Sequence, residues 1–293
     1  MPSSYLFLNG LRLHYLHWNL DGSGPAVVLL HDLSANARLW EPAAAELAAS
    51  GFTVLAPDLR GHGLTDGPVG DYGFEVYAAD LAAFIAAADL SRPVLAGHGW
   101  GGLLALDYAS RAAFGPRAPA GIVLADGGMI QWDETGWEEA RRRLAPPGAG
   151  EIPLSAFLER LDQGQSSWLP DEEAVPRLLA SYCMDEDETL TPRLSPEIRL
   201  QIARAIWEYP THAAFRRLRC PALALPAAPA AGAQPHDPLV WELNLRGVDR
   251  LAREMKAGRV VWLTRASPHL LLEQPAVLAG RILEFARSLP VHV

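Results

Sequence analysis

The chain has 293 residues, of which 49% are hydrophobic and 20% charged, which is typical of a folded globular protein and suits an α/β domain with an insertion. Its 34 acidic and 25 basic residues give a net charge of −9, which disfavours nucleic acids and anionic membrane surfaces as partners. The two cysteines, Cys183 and Cys220, are too few for a disulfide framework, so we expect free thiols in a reducing compartment.

The segment Met1–Trp18 alternates apolar and polar residues and lacks the basic and apolar regions of a secretory signal. We therefore expect it to be part of the folded protein. Every apolar stretch is shorter than the roughly 18 residues that a membrane span needs. These features predict a cytoplasmic protein with no membrane partner.

Short apolar runs bounded by Gly, Pro and Asp predict buried strands at Val27–Leu30 and Thr53–Ala56, with an Ala-rich helix at Pro42–Ser50 between them. The same alternation continues through a helix at Phe74–Ala88, a strand at Pro93–Ala96, a helix from Trp100 and a strand at Gly121–Ala125. Strands and helices that alternate at this spacing predict a mostly parallel sheet with helices on both faces.

The alternation stops after Asp126, and residues 128–218 are rich in Trp, Glu and Arg, with helical periodicity and frequent prolines. We interpret them as an inserted helical cap on a core formed by residues 1–127 and 219–293. The parallel pattern resumes with strands at Ala222–Leu225 and Val260–Leu263, separated by an Ala/Pro/Gly-rich segment at Ala227–Pro235 that predicts a mobile loop, and ends with a helix at Ala276–Ser288.

The run Val94–Gly102 has the form of a nucleophile elbow without its nucleophile. An apolar strand, a turn with small residues around its centre and an Ala/Leu-rich helix are all present. The centre of the turn, where Ser belongs, is Gly99. A hydrogen atom cannot attack a carbonyl group, so the chain has the framework of a serine hydrolase without the reactive atom.

Three more segments complete a family pattern in the expected order. His31-Asp32 follows one strand, Pro57–Gly63 follows the next, and Ser267-Pro268-His269 lies near the end of the chain. Together with the elbow, they resemble the α/β-hydrolase superfamily, in particular its capped esterase and haloalkane-dehalogenase-like members. The resemblance covers nearly the whole chain outside the insertion. It implies the α/β-hydrolase fold and descent from a serine hydrolase that cleaves esters or related bonds without a cofactor.

The resemblance also implies roles for the residues around the elbow. The elbow residue has positive φ, which strains Ser but not Gly, so Gly99 suits a chain that no longer needs the nucleophile. The amides of Leu33 and Trp100 correspond to the oxyanion hole. Asp32 stands where the family has Gly. If ionised, it would repel an oxyanion; if buried and protonated, it could donate a hydrogen bond. A third interpretation is that Asp simply suits a turn with positive φ.

His269 matches the catalytic histidine of the family, which would act as a general base. The segment after Ala222–Leu225 lacks the usual acid, so Asp126 at the end of the preceding strand is the substitute, with Asp237 as a weaker rival. Each has a structural alternative: His269 could be part of a pocket wall, and Asp126 could cap a turn. His98 flanks the elbow.

Four tryptophans in the insertion, Trp132, Trp137, Trp168 and Trp207, suggest an apolar cavity between insertion and core, although aromatic residues at helical spacing also form ordinary core. No cluster has metal-ligand spacing, and no dinucleotide fingerprint is present, so we expect neither a metal nor a cofactor.

Three functions remain open. The first is a catalytically impaired hydrolase that binds a small apolar or acyl ligand. The second is an active hydrolase or lyase that uses water activated by His269, with Asp126 or Asp32 as acid or base. The third is an ordinary esterase in which Gly99 replaces a native Ser. A scaffold would instead fill the cavity with side chains. The sequence leaves open the identity of the ligand and the choice between monomer and homodimer.

Overall fold

A twisted sheet runs through the centre of the protein in the computed structural model, which describes residues 2–22, 24–111, 117–146, 150–165, 173–255 and 257–290. The strands, numbered in chain order, are β1 (Ser3–Leu8), β2 (Leu11–Trp18), β3 (Ala26–Leu30), β4 (Thr53–Pro57), β5 (Val94–His98), β6 (Gly121–Ala125), β7 (Ile152–Pro153), β8 (Tyr182–Met184), β9 (Thr189–Pro192), β10 (Ala222–Leu225), β11 (Ala227–Ala228), β12 (Gly258–Val260) and β13 (Leu263–Thr264).

The main sheet has eight strands in the order β1-β2-β4-β3-β5-β6-β10-β12. The pairs from β4 to β12 are parallel, and β1 and β2 form an antiparallel edge. Leu30 pairs with Gly97, and His98 pairs with Ala125, so the residues that follow β3, β5 and β6 emerge together at the carboxyl edge. This edge is where parallel α/β sheets place their ligand sites.

Helices cover both faces of the sheet, as the alternating pattern predicts. They are α1 (Glu41–Ala49), α2 (Phe74–Ala87), α3 (Trp100–Ser110), α4 (Trp137–Leu144), α5 (Leu154–Gln165), α6 (Ala174–Leu179), α7 (Pro196–Glu208), α8 (Thr211–Arg217), α9 (Pro238–Glu254), α10 (Leu270–Glu273) and α11 (Pro275–Ser288). One apolar core lies under α2, α3 and α9, and the other lies under α1 and α11. The central strands are buried on both faces, which explains their continuous apolar runs.

The insertion is not purely helical, which corrects the prediction of a helical cap. Besides helices α4 to α7, it contains an antiparallel sheet in the order β7-β9-β8. The turn between β8 and β9 is held by the Asp185 carboxylate, which accepts the amides of Asp187 and Thr189. These strands have two to four residues, too few for a periodic pattern to show. Helix α8 packs against α3 and α9 of the core.

Two further predictions need correction near the end of the chain. The predicted strand at 260–263 is two separate strands, β12 in the main sheet and β13, which pairs with β11. Ala227 and Ala228, expected in a loop, form β11 because the chain bends away from the main sheet here and finds a new partner. Cys183 and Cys220 are free thiols. Within the described ranges, every helix is too short or too polar to cross a membrane.

Candidate active site

The elbow has the predicted backbone geometry. Gly99 links β5 to α3 with φ 52° and ψ −117°, a conformation that glycine adopts without strain. Its amide donates to the carbonyl of Ala125 at 3.1 Å, which ties the elbow to the neighbouring strand. The chain therefore keeps the turn that would present a nucleophile, with no side chain on it.

The space above the elbow is occupied by the side chain of Asp32, which follows β3. Its Oδ1 accepts the Trp100 amide at 2.8 Å, and the Leu33 amide also stabilises the carboxylate. These are the two amides that the family resemblance assigns to the oxyanion hole. A carboxylate therefore lies where an oxyanion would be bound during acyl transfer.

The surroundings keep Asp32 ionised. Burial acts to raise the pKa of Asp32, but the charge of His98, the two amides and the charge of Arg199 outweigh burial and hold the pKa below its ordinary value. The interpretation of Asp32 as a protonated donor is thus wrong for this geometry. So is the interpretation based on positive φ, because Asp32 is not among the described non-glycine residues with positive φ, whereas Asp126 is, at 45°.

Gly99 and Asp32 depend on each other sterically. An ideal Cβ placed on Gly99 would lie 2.6 Å from Asp32 Cγ and closer still to Oδ1. A side chain at residue 99 therefore requires Asp32 to leave the two amides. The bare backbone at residue 99 and the Asp32 carboxylate on the Trp100 amide are thus two parts of one steric arrangement.

Asp126 lies on the other side of Gly99, after β6. Its Oδ1 accepts the Ala227 amide at 3.0 Å and the Asn244 side-chain amide at 3.2 Å. Burial raises the pKa of Asp126 despite these hydrogen bonds. The described contacts of Asp126 are with Ala227 and Asn244, and its role of orienting His269 stays a prediction.

His98 connects the elbow to the segment that carries His269. Its Nε2 lies 2.9 Å from the Pro268 carbonyl, and because a carbonyl only accepts, Nε2 carries the proton. The His269 ring lies edge-on to His236, with centroids 6.2 Å apart. Burial lowers the pKa of His269, while Glu273 makes the largest opposing contribution. Pro268, rather than His269, lines the cavity over the elbow.

A cavity of about 240 Å³ opens over Gly99 between the core and the insertion, and we call it the Gly99 cavity. Its polar groups include Asp32, Asp126, His98, Asn244 and Arg199. The rest of its wall is mainly apolar, formed by Leu33, Trp100, Leu103, Met129, Ile130, Trp132, Leu144, Ile206, Val240 and Pro268. A mainly apolar wall with a few convergent polar groups is typical of a small-molecule site.

The tryptophans of the insertion play different roles. Trp132 lines the Gly99 cavity. Trp137 and Trp207 instead pack against each other, with ring centroids 5.9 Å apart and the Arg204 guanidinium over both rings. Trp168 lies outside the described residues. The predicted cavity between insertion and core is present, and of the three described tryptophans Trp132 lines it while Trp137 and Trp207 do not.

Asp237, the rival acid, is the N-cap of α9. Its Oδ1 accepts the amides of Leu239 and Val240 at 2.9 and 3.1 Å, and its other oxygen lies 2.6 Å from Arg143 Nε. Both contacts hold the carboxylate at the helix end, where a negative charge is favourable. Asp237 is therefore a structural cap in this geometry.

Sequence reasoning missed Arg199 and Asn244. Asn244 lies within α9 and gives no local signal. Arg199 gives a weak one, since it stands in the first turn of α7, where acidic residues are the favoured charges. A search of the described residues finds no group of three His, Cys, Asp or Glu side chains placed to hold a metal ion.

Comparison with known proteins agrees with the fold. The profile of the alpha/beta hydrolase family matches residues 27–281. The chain belongs to the alpha/beta hydrolase family. A solved structure, that of E-2-(acetamidomethylene)succinate hydrolase, superposes with a TM-score of 0.78 over 98% of this chain and 99% of that one, at 23% identity. At this identity the likeness shows the fold alone.

Curated proteins match the chain over shorter stretches. An uncharacterized protein of Mycobacterium bovis is 34% identical over 116 residues, which is 40% of this chain and 33% of that protein. Bifunctional epoxide hydrolase 2 of Sus scrofa is 38% identical over 102 residues, 34% of this chain and 18% of that protein. The matched stretches span about a third or less of these relatives.

Proposed function

We propose that this member of the family binds a small apolar or acyl ligand in the Gly99 cavity and forms no acyl-enzyme there. The observation that carries this proposal is the Asp32 carboxylate on the Trp100 amide. An acyl-transfer reaction needs a nucleophile at residue 99 and free amides for the oxyanion. This chain has neither, and an ionised carboxylate beside a developing oxyanion would raise the barrier further.

The same observation opposes the idea of an ordinary esterase with a single Ser→Gly change. Because a side chain at residue 99 meets the Asp32 carboxylate, restoring Ser alone pushes that carboxylate off the amides but leaves its negative charge beside the oxyanion hole, where it opposes a developing oxyanion. The two matched features, glycine at residue 99 and the carboxylate of Asp32, support the proposal that the chain is catalytically impaired as an acyl-transfer enzyme. An open cavity with a mainly apolar wall supports ligand binding over a purely structural role.

Ester hydrolysis tests the proposal that no acyl-enzyme forms. Short-chain p-nitrophenyl esters are incubated with the chain, with Gly99→Ser and with the double variant Asp32→Gly/Gly99→Ser. We expect no turnover above the buffer rate from the chain or from Gly99→Ser. Activity that appears only in the double variant would support the blocked oxyanion hole directly. Turnover by the chain with an acyl adduct visible by mass spectrometry would refute the proposal.

Calorimetric titration with short-chain esters and amides tests the proposal that a ligand binds in the Gly99 cavity. Val240 on α9 lines the cavity and is partly buried, so Val240→Trp should fill the space and weaken binding. The matched control is Leu245→Trp on the same helix, because Leu245 is an exposed residue outside the cavity lining. Equal effects of both substitutions, or no binding by the chain, would reject the Gly99 cavity as the ligand site.

A second candidate function is acid–base chemistry without a covalent intermediate, as in a lyase or a water-using hydrolase. Asp32 and Asp126 line the same cavity, and their pKa values shift in opposite directions, down for Asp32 and up for Asp126. Such a pair supplies a base and an acid at one pH. This pair favours acid–base chemistry by the two carboxylates over water activated by His269, because His269 does not line this cavity.

This second candidate predicts proton exchange. A 1,3-dicarbonyl compound with an acidic C–H bond, incubated with the protein in D2O, should exchange that hydrogen faster than in buffer, as followed by NMR. Asp32→Asn should abolish the exchange, because the base is lost. Exchange at the buffer rate, or exchange that persists in Asp32→Asn, would leave binding without acid–base chemistry as the function.

A further inference from the structure

Arg199 is a half-buried cation with no counter-ion at ion-pair distance among the described residues. Its Nε donates to the Leu144 carbonyl at 2.9 Å, and a terminal nitrogen donates to the Ser34 hydroxyl at 2.6 Å. Neither acceptor is charged. Burial lowers the pKa of Arg199, and Asp32 opposes this from a distance, but a guanidinium stays protonated at neutral pH. A partly buried charge without a counter-ion carries part of the cost of desolvation, and a bound anion would offset that cost.

The helix that carries Arg199 adds to this cost. Helix α7 begins at Pro196 with Ser195 as its N-cap, so Arg199 lies in the first turn. The N-terminus of a helix carries a partial positive charge, which favours anions and disfavours cations. Burial and the helix dipole thus both oppose a positive charge at this position, and a bound anion would relieve both.

Arg199 also connects two cavities. A second cavity of about 470 Å³ lies beside the Gly99 cavity, and the two share Leu33, Ser34 and Arg199 in their walls. We call this second space the arginine cavity. Neither Asp32 nor Asp126 is among the residues that line it. An anion in this cavity would therefore meet Arg199 at a wall that neither carboxylate lines.

The arginine cavity is positively charged in a protein whose net charge is −9. Among the residues described around it, Arg160 and Arg193 join Arg199, and Glu151 is the one carboxylate. Tyr182 adds a hydroxyl group, and burial raises the pKa of Tyr182, so the group stays a hydrogen-bond donor. Guanidinium and hydroxyl donors around one space are the groups that recognise an oxyanion.

We propose that Arg199 binds the carboxylate of a small organic acid, with the acid group in the arginine cavity and the apolar part of the molecule in the Gly99 cavity. This inference rests on the proposed function, because it names the ligand class of the same site. A singly charged carboxylate fits better than a phosphate dianion, since the nearby ionised Asp32 already offsets part of the charge of Arg199. The Gly99 cavity has the volume of about eight water molecules, which suits a short aliphatic chain.

The experiment is calorimetric titration of the full chain at pH 7 with straight-chain carboxylates from butanoate to octanoate and with the amides of the same lengths. We expect the acids to bind more tightly than the amides. Arg199→Gln should weaken acid binding by about 10- to 100-fold and leave amide binding unchanged, because it removes a charge-assisted contact and little volume. Arg199→Lys should keep part of the preference.

The matched control is Arg281→Gln on α11, which makes the same charge change at an exposed ion pair with Glu284. It should not alter binding of acids or amides. If Arg199→Gln does not fold, the double variant Arg160→Gln/Arg193→Gln changes two exposed residues of the same cavity and should weaken acid binding by a smaller factor. Unchanged acid affinity in whichever of these two variants is folded would overturn the inference.

The remaining outcomes separate this inference from the proposed function. Amides that bind as tightly as acids would retain the ligand cavity and reject a carboxylate site at Arg199. A stronger response to butyl phosphate than to any carboxylate would also reject the proposed ligand class. If neither acids nor amides bind, both the inference and the proposed ligand cavity fail.

Discussion

The substitution Gly99→Ser should destabilise the protein through two separable costs. The first is backbone strain, because a residue other than glycine at φ 52° and ψ −117° costs about 1–3 kcal/mol. The second is displacement of Asp32, whose carboxylate must leave the Trp100 amide to make room for the new Cβ. Loss of a hydrogen bond to a charged group costs about 1.5–3 kcal/mol. Together they predict a loss of about 2.5–6 kcal/mol in the free energy of unfolding.

A double-mutant cycle separates the two costs. In an Asp32→Gly background the carboxylate is already absent, so Gly99→Ser should cost only the strain, about 1–3 kcal/mol. The coupling between residues 32 and 99 is therefore expected to be about 1.5–3 kcal/mol. The extra chain freedom of glycine at residue 32 is present in both Asp32→Gly variants and cancels.

The assay is urea unfolding of the chain and the three variants, followed by tryptophan fluorescence. Gly10→Ser is the matched control, since Gly10 has φ 71° and no atom within 4 Å of an added Cβ, so that substitution adds strain without a clash. Its cost should be the same with and without Asp32→Gly. A coupling between residues 32 and 99 below about 0.5 kcal/mol would refute the reasoning. The effects of substitutions at distant, independent sites are additive to within about that amount, so a coupling this small would mean that the two residues do not interact.

Three further predictions concern stability. The pKa of Asp32 is lower in the folded protein than its unfolded value of about 3.9. The ionised carboxylate therefore stabilises the fold above the unfolded pKa, and this stabilisation is lost as pH falls through the folded pKa. The free energy of unfolding of the chain should therefore lose its advantage over that of Asp32→Asn in acid. The pKa of Asp126 is raised in the folded protein, so ionisation of Asp126 destabilises the fold as pH rises through the folded pKa. Asp126→Asn should therefore gain stability relative to the chain over that pH range. Urea unfolding at several pH values checks both predictions. Arg177→Met should lower the free energy of unfolding in urea by about 2 kcal/mol. Breaking an isolated buried ion pair costs ~3–5 kcal/mol, but here Glu41 loses its 3.1 Å contact with Arg177 and keeps its 2.7 Å contact with Arg38. An unchanged free energy of unfolding would contradict this prediction.

The central strands and the helices beside them were predictable because their signals are local. A strand buried on both faces is a continuous apolar run, as in β3 and β6, and α2 matches its predicted range to within one residue. The strands β7, β8 and β9 were not predictable, because they are too short for a pattern and depend on pairing with each other. The same holds for β11 and β13, whose pairing joins residues far apart in the chain.

The candidate site divides in the same way. Motif order by itself identified Gly99, Asp32 and the amides of Leu33 and Trp100, since the elbow and the segment after β3 can be recognised in the sequence. It could not show that Asp32 lies on the Trp100 amide, a contact between residues 68 positions apart. Nor could it show that Arg199 faces two cavities, because an arginine in an amphipathic helix is normally exposed to solvent.

The sequence by itself determined the family, the parallel sheet, the elbow and the absence of a nucleophile on it. These properties follow from local composition and from the order of short motifs. Only the tertiary structure decided that an added side chain at residue 99 and the Asp32 carboxylate would occupy one space, that Asp126 accepts from Ala227 and Asn244, and that Arg199 is half-buried with its side chain on Ser34 and Leu144. The physical reason is that sterics, burial and charge depend on distances in space, which the order of residues along a chain does not contain.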